Sequence, residues 1–274
     1  MSALAVSPLE RVGRVTRRGV LLSEWTKFGS LRSTRWSLVL AVVLTVGLPA
    51  LFAAVLAARW GHMSVRERAG HRHQPVNVAL SGVNVSQLVL AVLGVLVITG
   101  EYSTGMIRAS FRAVPRRLPV VWGKAAVYGA VVLVLMVPTV VAAFFVSQAI
   151  LARRGIEQVS FSDPGVARSV LGGAVYLALV GLFALALGSI VRNTAGAIAT
   201  FAAIFFVLPP LVDLLPASWS NLVFPYLPES AGRSLFQLTH GPHALAPASG
   251  LAVLAAYCAF AFVIAAVLLV HRDT

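Results

Sequence analysis

The sequence predicts an all-α integral membrane protein, with six transmembrane helices and an amphipathic N-terminal interfacial helix. Three observations carry this expectation. Six separate stretches stay apolar for about 20 residues or more, enough at about 1.5 Å per residue to cross a hydrocarbon core of about 30 Å. Almost every charge falls between those stretches rather than inside them. With 58% hydrophobic and only 11% charged residues, the chain of 274 residues has too little polar surface to solvate a globule of its size. The apolar runs lack two-residue alternation, which excludes barrel strands, so the backbone polar groups are expected to be satisfied within helices.

The spans are expected at 36–58, 78–99, 124–151, 170–191, 195–215 and 247–270, giving a transmembrane domain over 36–274 behind a cytoplasmic leader of 1–35. In the leader, residues 1–10 carry no pattern and are expected to be disordered. Between 20 and 36, Leu21, Leu22, Trp25, Phe28 and Leu31 fall on one half of a helical wheel, and Ser23, Thr26, Lys27 and Ser30 on the other. Such a helix can lie on membrane lipid with Trp25 at headgroup depth and Lys27, Arg32 and Arg35 near anionic headgroups; equally, the segment can be a positive anchor that sets topology and nothing else. The apolar run that follows is longer than the core of a signal peptide, so it reads as a retained first span.

Asn77, Ser81, Asn84, Ser86 and Gln87 thin out the first half of the second span, whose remainder is unbroken. The loop after it runs Gly100-Glu101-Tyr102-Ser103-Thr104-Gly105-Met106-Ile107-Arg108, then Pro115-Arg116-Arg117 and Gly123-Lys124. It reads as a brief helix lying under the membrane, a handle on the leader side. A solvated connector in which Glu101 pairs with a neighbouring Arg is the other reading.

Position explains the formal charge of +13 better than a nucleic-acid partner does, since no stretch is long enough for a folded basic domain. The leader side holds Arg11, Arg14, Arg17, Arg18, Lys27, Arg32, Arg35, Arg108, Arg112, Arg116, Arg117, Lys124, Arg192 and Arg272, which exceeds the opposite side's Arg59, Arg66, Arg68, Arg72, Arg153, Arg154, Arg168 and Arg233. That bias places both termini in the cytoplasm.

Here the residues resemble a family. The E-Y-x-x-G-x-I-R stretch from Glu101, the later P-R-R and the G-K at the third span look like the cytoplasmic loop of ATP-binding-cassette exporter permeases of the type-2 class. The S-E-W-T-K-F-x-S-L-R-S-T-R-W run from Ser23 resembles the pre-membrane helix of actinobacterial members. The pattern departs at Met106, where many members have Thr. The resemblance implies a bacterial plasma-membrane permease subunit that docks on a separate ATPase through Glu24, Trp25, Lys27, Glu101, Gly105 and Arg108. It also implies a second permease subunit, identical or different, and short helices between the fifth and sixth spans. ATP and magnesium belong to the partner chain, because this one has no G-x-x-x-x-G-K-[ST] loop and no cofactor of its own is expected.

The remaining features are local. Pro209-Pro210 is expected to break or kink the fifth span near its end, leaving Asp213 to cap or pair nearby. Trp219 and Tyr226 read as interfacial anchors. Ala184 and Gly188, then Ala195, Ala199 and Ala203, have the spacing of close helix contacts. Cys258 reads as a packing residue. The spans hold essentially no ionisable residue away from their ends, which argues against an ion-driven carrier. No H-E-x-x-H is present, and His71 and His73 lie in a loop without an acidic third ligand. The expected activity is export, with amphipathic drugs or lipids suggested only by the apolar composition. The rival is a membrane scaffold or sensor subunit that transports nothing.

Overall fold

In the computed structural model the described residues are 16–64, 66–68, 75–103, 105, 118–238, 241 and 244–271. Residues 1–10, His71, His73, Met106, Arg108 and the Pro115-Arg116-Arg117 turn lie outside them. Among the described residues every regular element is helical, and six helical stretches are long and apolar enough to cross a membrane. The fold is that of a multi-pass α-helical membrane protein.

Helix α1 (Arg17–Ser30) opens on Thr16, whose hydroxyl accepts the Gly19 N–H at 3.1 Å. One extended residue, Leu31, separates it from α2 (Arg32–Arg59), the first span. The span thus begins four residues before the predicted 36, because Arg32, Ser33 and Thr34 continue the helix beyond the hydrocarbon. Of the apolar half of the α1 wheel, only Phe28 departs from an outward, lipid-compatible placement. Val20, Glu24 and Phe28 turn inward, whereas Leu21, Leu22, Trp25 and Leu31 stay exposed. The lipid-compatible half therefore faces away from the bundle, and the mixed half packs.

The second span is α3 (Pro75–Ala79) followed after Leu80 by α4 (Ser81–Ser103). Its polar half faces other helices, which explains its weak hydropathy: Thr45 donates to the Ser86 hydroxyl at 2.7 Å, and Tyr176 donates to the buried Gln87 amide. Gly82 lets α2 pass closely, since a Cβ there would stand 2.9 Å from Cδ of Pro49. Helix α5 (Leu118–Ala152) has 35 residues, about 52 Å at 1.5 Å per residue, so it outruns the bilayer core and starts six residues before the expected 124.

Helix α6 (Val166–Val191) lies at the centre, enclosed by α4, α5 and α11 (Pro247–His271). A Cβ on Gly188 would meet Ile98 at 2.6 Å, so the Ala184/Gly188 pair serves a contact within this chain; Ala195, Ala199 and Ala203 are exposed. The fifth span is not one regular helix. It comprises α7 (Thr194–Ala202), a π-helical turn at Ala203–Val207 and α8 (Leu208–Asp213). Pro209 and Pro210 have no N–H to give to the preceding turn, and the turn widens so that Leu208 N–H reaches the Ala203 carbonyl. The disruption thus begins before the prolines rather than after them. Asp213, expected to cap or pair, is exposed and has no partner among the described residues.

Short helices α9 (Ala217–Val223) and α10 (Pro228–Arg233) follow. Trp219 and Tyr226 are exposed. Gly232 lies against the Tyr176 ring and Gly250 against α10, so the absence of side chains there lets α10 seat on α6 and α11.

Candidate functional site: a buried four-charge joint

Three elements meet where α1, the end of α4 and the start of α5 converge. Gly123 makes the approach: a Cβ there would stand 3.2 Å from Val20 and 3.6 Å from the Glu24 side chain, so α1 lies almost on the α5 backbone. Phe28 anchors the other end of α1, edge-on to Tyr128 with ring centres 6.2 Å apart. Tyr128 is fully buried and donates to the Leu90 carbonyl at 2.7 Å, so α1 is tied through α5 to α4.

Two carboxylates and two ammonium groups occupy the junction. Lys124 Nζ donates to Glu24 Oε2 at 2.5 Å and to Glu101 Oε1 at 2.6 Å. Lys27 Nζ lies 2.9 Å from Glu24 Oε1 and 3.3 Å from Glu101 Oε1. The Lys124, Glu24 and Glu101 side chains are 3%, 4% and 7% exposed, while that of Lys27 is 34% exposed. Removing one such charge from water costs several kcal/mol, an amount recovered only when a partner stands in contact. Here each ammonium contacts both carboxylates, so the positive and negative charges match. Burial alone lowers the Lys27 pKa, but its hydrogen bond to Glu24 and the charges of Glu101 and Glu24 outweigh it, and the net shift is upward.

Of the residues singled out from sequence, Glu24, Lys27 and Glu101 come together here. Glu101 contacts Lys27 and Lys124; the neighbouring arginines of the alternative pairing, Arg108, Arg112, Arg116 and Arg117, lie outside the described residues. Trp25 is 59% exposed on the opposite side of α1 and takes no part. Gly105 follows the end of α4 with φ +73°, and its N–H reaches the Tyr102 carbonyl at 3.3 Å. That left-handed conformation suits Gly and terminates the helix. Arg108 lies outside the described residues.

Lys124 and Gly123 are the functional positions that sequence reading missed. The G-K pair was visible, but a lysine at the mouth of a span is ordinarily a topology marker. A second tie lies beside the joint: Arg192 closes α6 at φ 58°, stacks over the Tyr102 ring at 5.3 Å and donates to the Leu268 carbonyl at 3.4 Å. It links the ends of α4, α6 and α11. Thr194 donates to Thr99 at 2.8 Å, adding α7. What the joint can do is transmit force, because a displacement of α1 or of the α4 end moves carboxylates that Lys124 holds at the start of α5.

No protein-family model matches the chain, and no curated protein matches it.

Proposed function

We propose that this chain is the membrane-spanning permease subunit of an ATP-binding-cassette exporter, driven by a separate ATPase chain that binds ATP and magnesium. A second permease subunit, identical or different, completes the pathway, and amphipathic drugs or lipids are the substrate class. The observation that carries the reading is a convergence. The leader, the loop after the second span and the opening of the third span, which separately resemble that family, supply all four charges of one buried joint. Hydropathy alone requires no contact among them.

In this reading the joint faces the cytoplasm, as the excess of basic residues on its side favours, and the membrane is the bacterial plasma membrane. ATP binding brings the cassettes together and pushes on α1 and on the segment after Ser103. Because Lys124 grips both Glu24 and Glu101, the push reaches α5 and α4 together. The spans then exchange one packed arrangement for another, as two-state interfaces do.

The test uses the permease purified with its ATPase in vesicles. Glu101→Gln keeps shape and hydrogen bonding but removes one charge, leaving two ammonium groups on one carboxylate. The ATPase is expected to remain bound, while the response of hydrolysis to the permease falls about 5–150-fold, the span of typical coupling energies. Unchanged coupling in that variant would sink the proposal. So would purification of the chain in active form without any nucleotide-binding partner, which is how a scaffold would behave.

A further inference from the structure

Beside the joint lies a cavity of about 400 Å3, within the range of ~300–1,000 Å3 usual for small-molecule sites. Leu31 between α1 and α2, Leu96 and Val97 of α4 and Val127 of α5 give it an apolar wall; Ser30 and Ser33 line one end, and Glu24, Lys27, Glu101 and Lys124 of the joint line the other. Arg32 and Arg35 of the turn between α1 and α2 flank the serine end without lining the cavity; they are exposed and have no acidic partner among the described residues. Arg35 Nε donates to the Gly29 carbonyl at 3.0 Å, which holds its guanidinium against the turn.

We propose that this cavity holds one resident anionic phospholipid. An acyl chain lies along Leu31, Leu96 and Val97, and the phosphate accepts hydrogen bonds from Arg32 and Arg35. Three features select this occupant. The cavity lies at one end of the spans, beside the start of the first. Its apolar wall gives a free phosphate nothing to fill it. Two guanidinium groups without an acid partner favour a lipid with net negative charge over one carrying its own cation. Lys27 lines the same cavity, but its ammonium is committed to Glu24 and Glu101. The bound lipid braces the α1–α2 turn against α4 and is a structural component, not cargo. The inference rests on the spans and the turn alone, so it can fail while the exporter reading stands, and the reverse.

The full chain is passed through nanodiscs of phosphatidylcholine and phosphatidylglycerol in equal parts and re-extracted, and retained lipid is identified by native mass spectrometry. One phosphatidylglycerol per chain is expected to survive extraction from the wild type. Arg32→Gln, at an exposed position, is expected to reduce its preference over phosphatidylcholine about fivefold, the worth of one basic residue at an anionic surface. Leu96→Trp, which fills the apolar end, is expected to abolish retention of either lipid. Equal retention of the two lipids by the wild type, unchanged selectivity in Arg32→Gln, or displacement of the lipid by inorganic phosphate would each overturn the proposal.

Discussion

At the scale of single residues, Lys124 is the member of the joint whose loss matters most, since it alone touches both carboxylates from within the bundle. Lys124→Met leaves Glu24 and Glu101 on Lys27, which is one-third exposed. Breaking a buried pair from one side costs about 3–5 kcal/mol, whereas Lys27→Met, at a position one-third exposed, is expected to cost less. Thermal unfolding in detergent ranks the two variants. The double variant Glu101→Gln/Lys124→Gln is expected to be more stable than Lys124→Met, because it removes one charge of each sign. Lys27 also sets a pH dependence. Its folded-state pKa lies above the ordinary 10.5, so the stability it contributes is complete below 10.5 and is lost as pH rises through the raised value. Melting temperature of the wild type should therefore drop more steeply above pH 10.5 than that of Lys27→Met. Glu24, Lys27 and Glu101 were singled out in the sequence through their resemblance to exporter-permease motifs, although their meeting in one joint was not legible there. Lys124 was not singled out, because a lysine at a span mouth has a simpler cause: positive charge on one side of the membrane.

At the scale of elements, α1 and the fifth span mark the limit of pattern reading. A wheel sorted the α1 residues into two halves; the apolar half stays outward except for Phe28, which packs inward with Val20 and Glu24, residues the wheel had assigned to neither half. In water the apolar half would turn inward; against a bilayer the outside is apolar too, so the direction of an amphipathic face has to come from what the neighbour offers. Gly123 decides it here by opening room for Glu24. Gly123→Leu is expected to lift α1 from α5, and in a background that keeps Trp25 alone of the five tryptophans its fluorescence should shift while the spans stay inserted. An unchanged Trp25 signal with intact helicity would show that α1 sits there without that space. The prolines of the fifth span announced a break, but the π turn precedes them because hydrogen bonds are lost on the N-terminal side of a proline.

At the scale of the whole molecule, all six spans were legible, since lipid tolerates few alternatives to long apolar helices. Their mutual arrangement was not, for the glycines and alanines that set close crossings are too common in such sequences to be told apart. The placement of the joint in the cytoplasm is open to direct test. Cys258 is the sole cysteine and is buried in α11, so a Cys258→Ala background accepts single exposed reporters. Ser103→Cys at the joint side is expected to resist an impermeant thiol reagent applied outside cells, and Ser160→Cys in the α5–α6 connection to react; the opposite pattern would invert the protein in the membrane. The joint also constrains how the protein is made. Glu24 and Lys124 are 100 residues apart in the chain, so at about 5–20 residues per second the ribosome has emitted the leader some 5–20 s before its buried partner exists. During that interval the glutamate must wait in water or in the care of the insertion machinery. The full seat of the N-terminal helix therefore cannot form until the third apolar segment has been made.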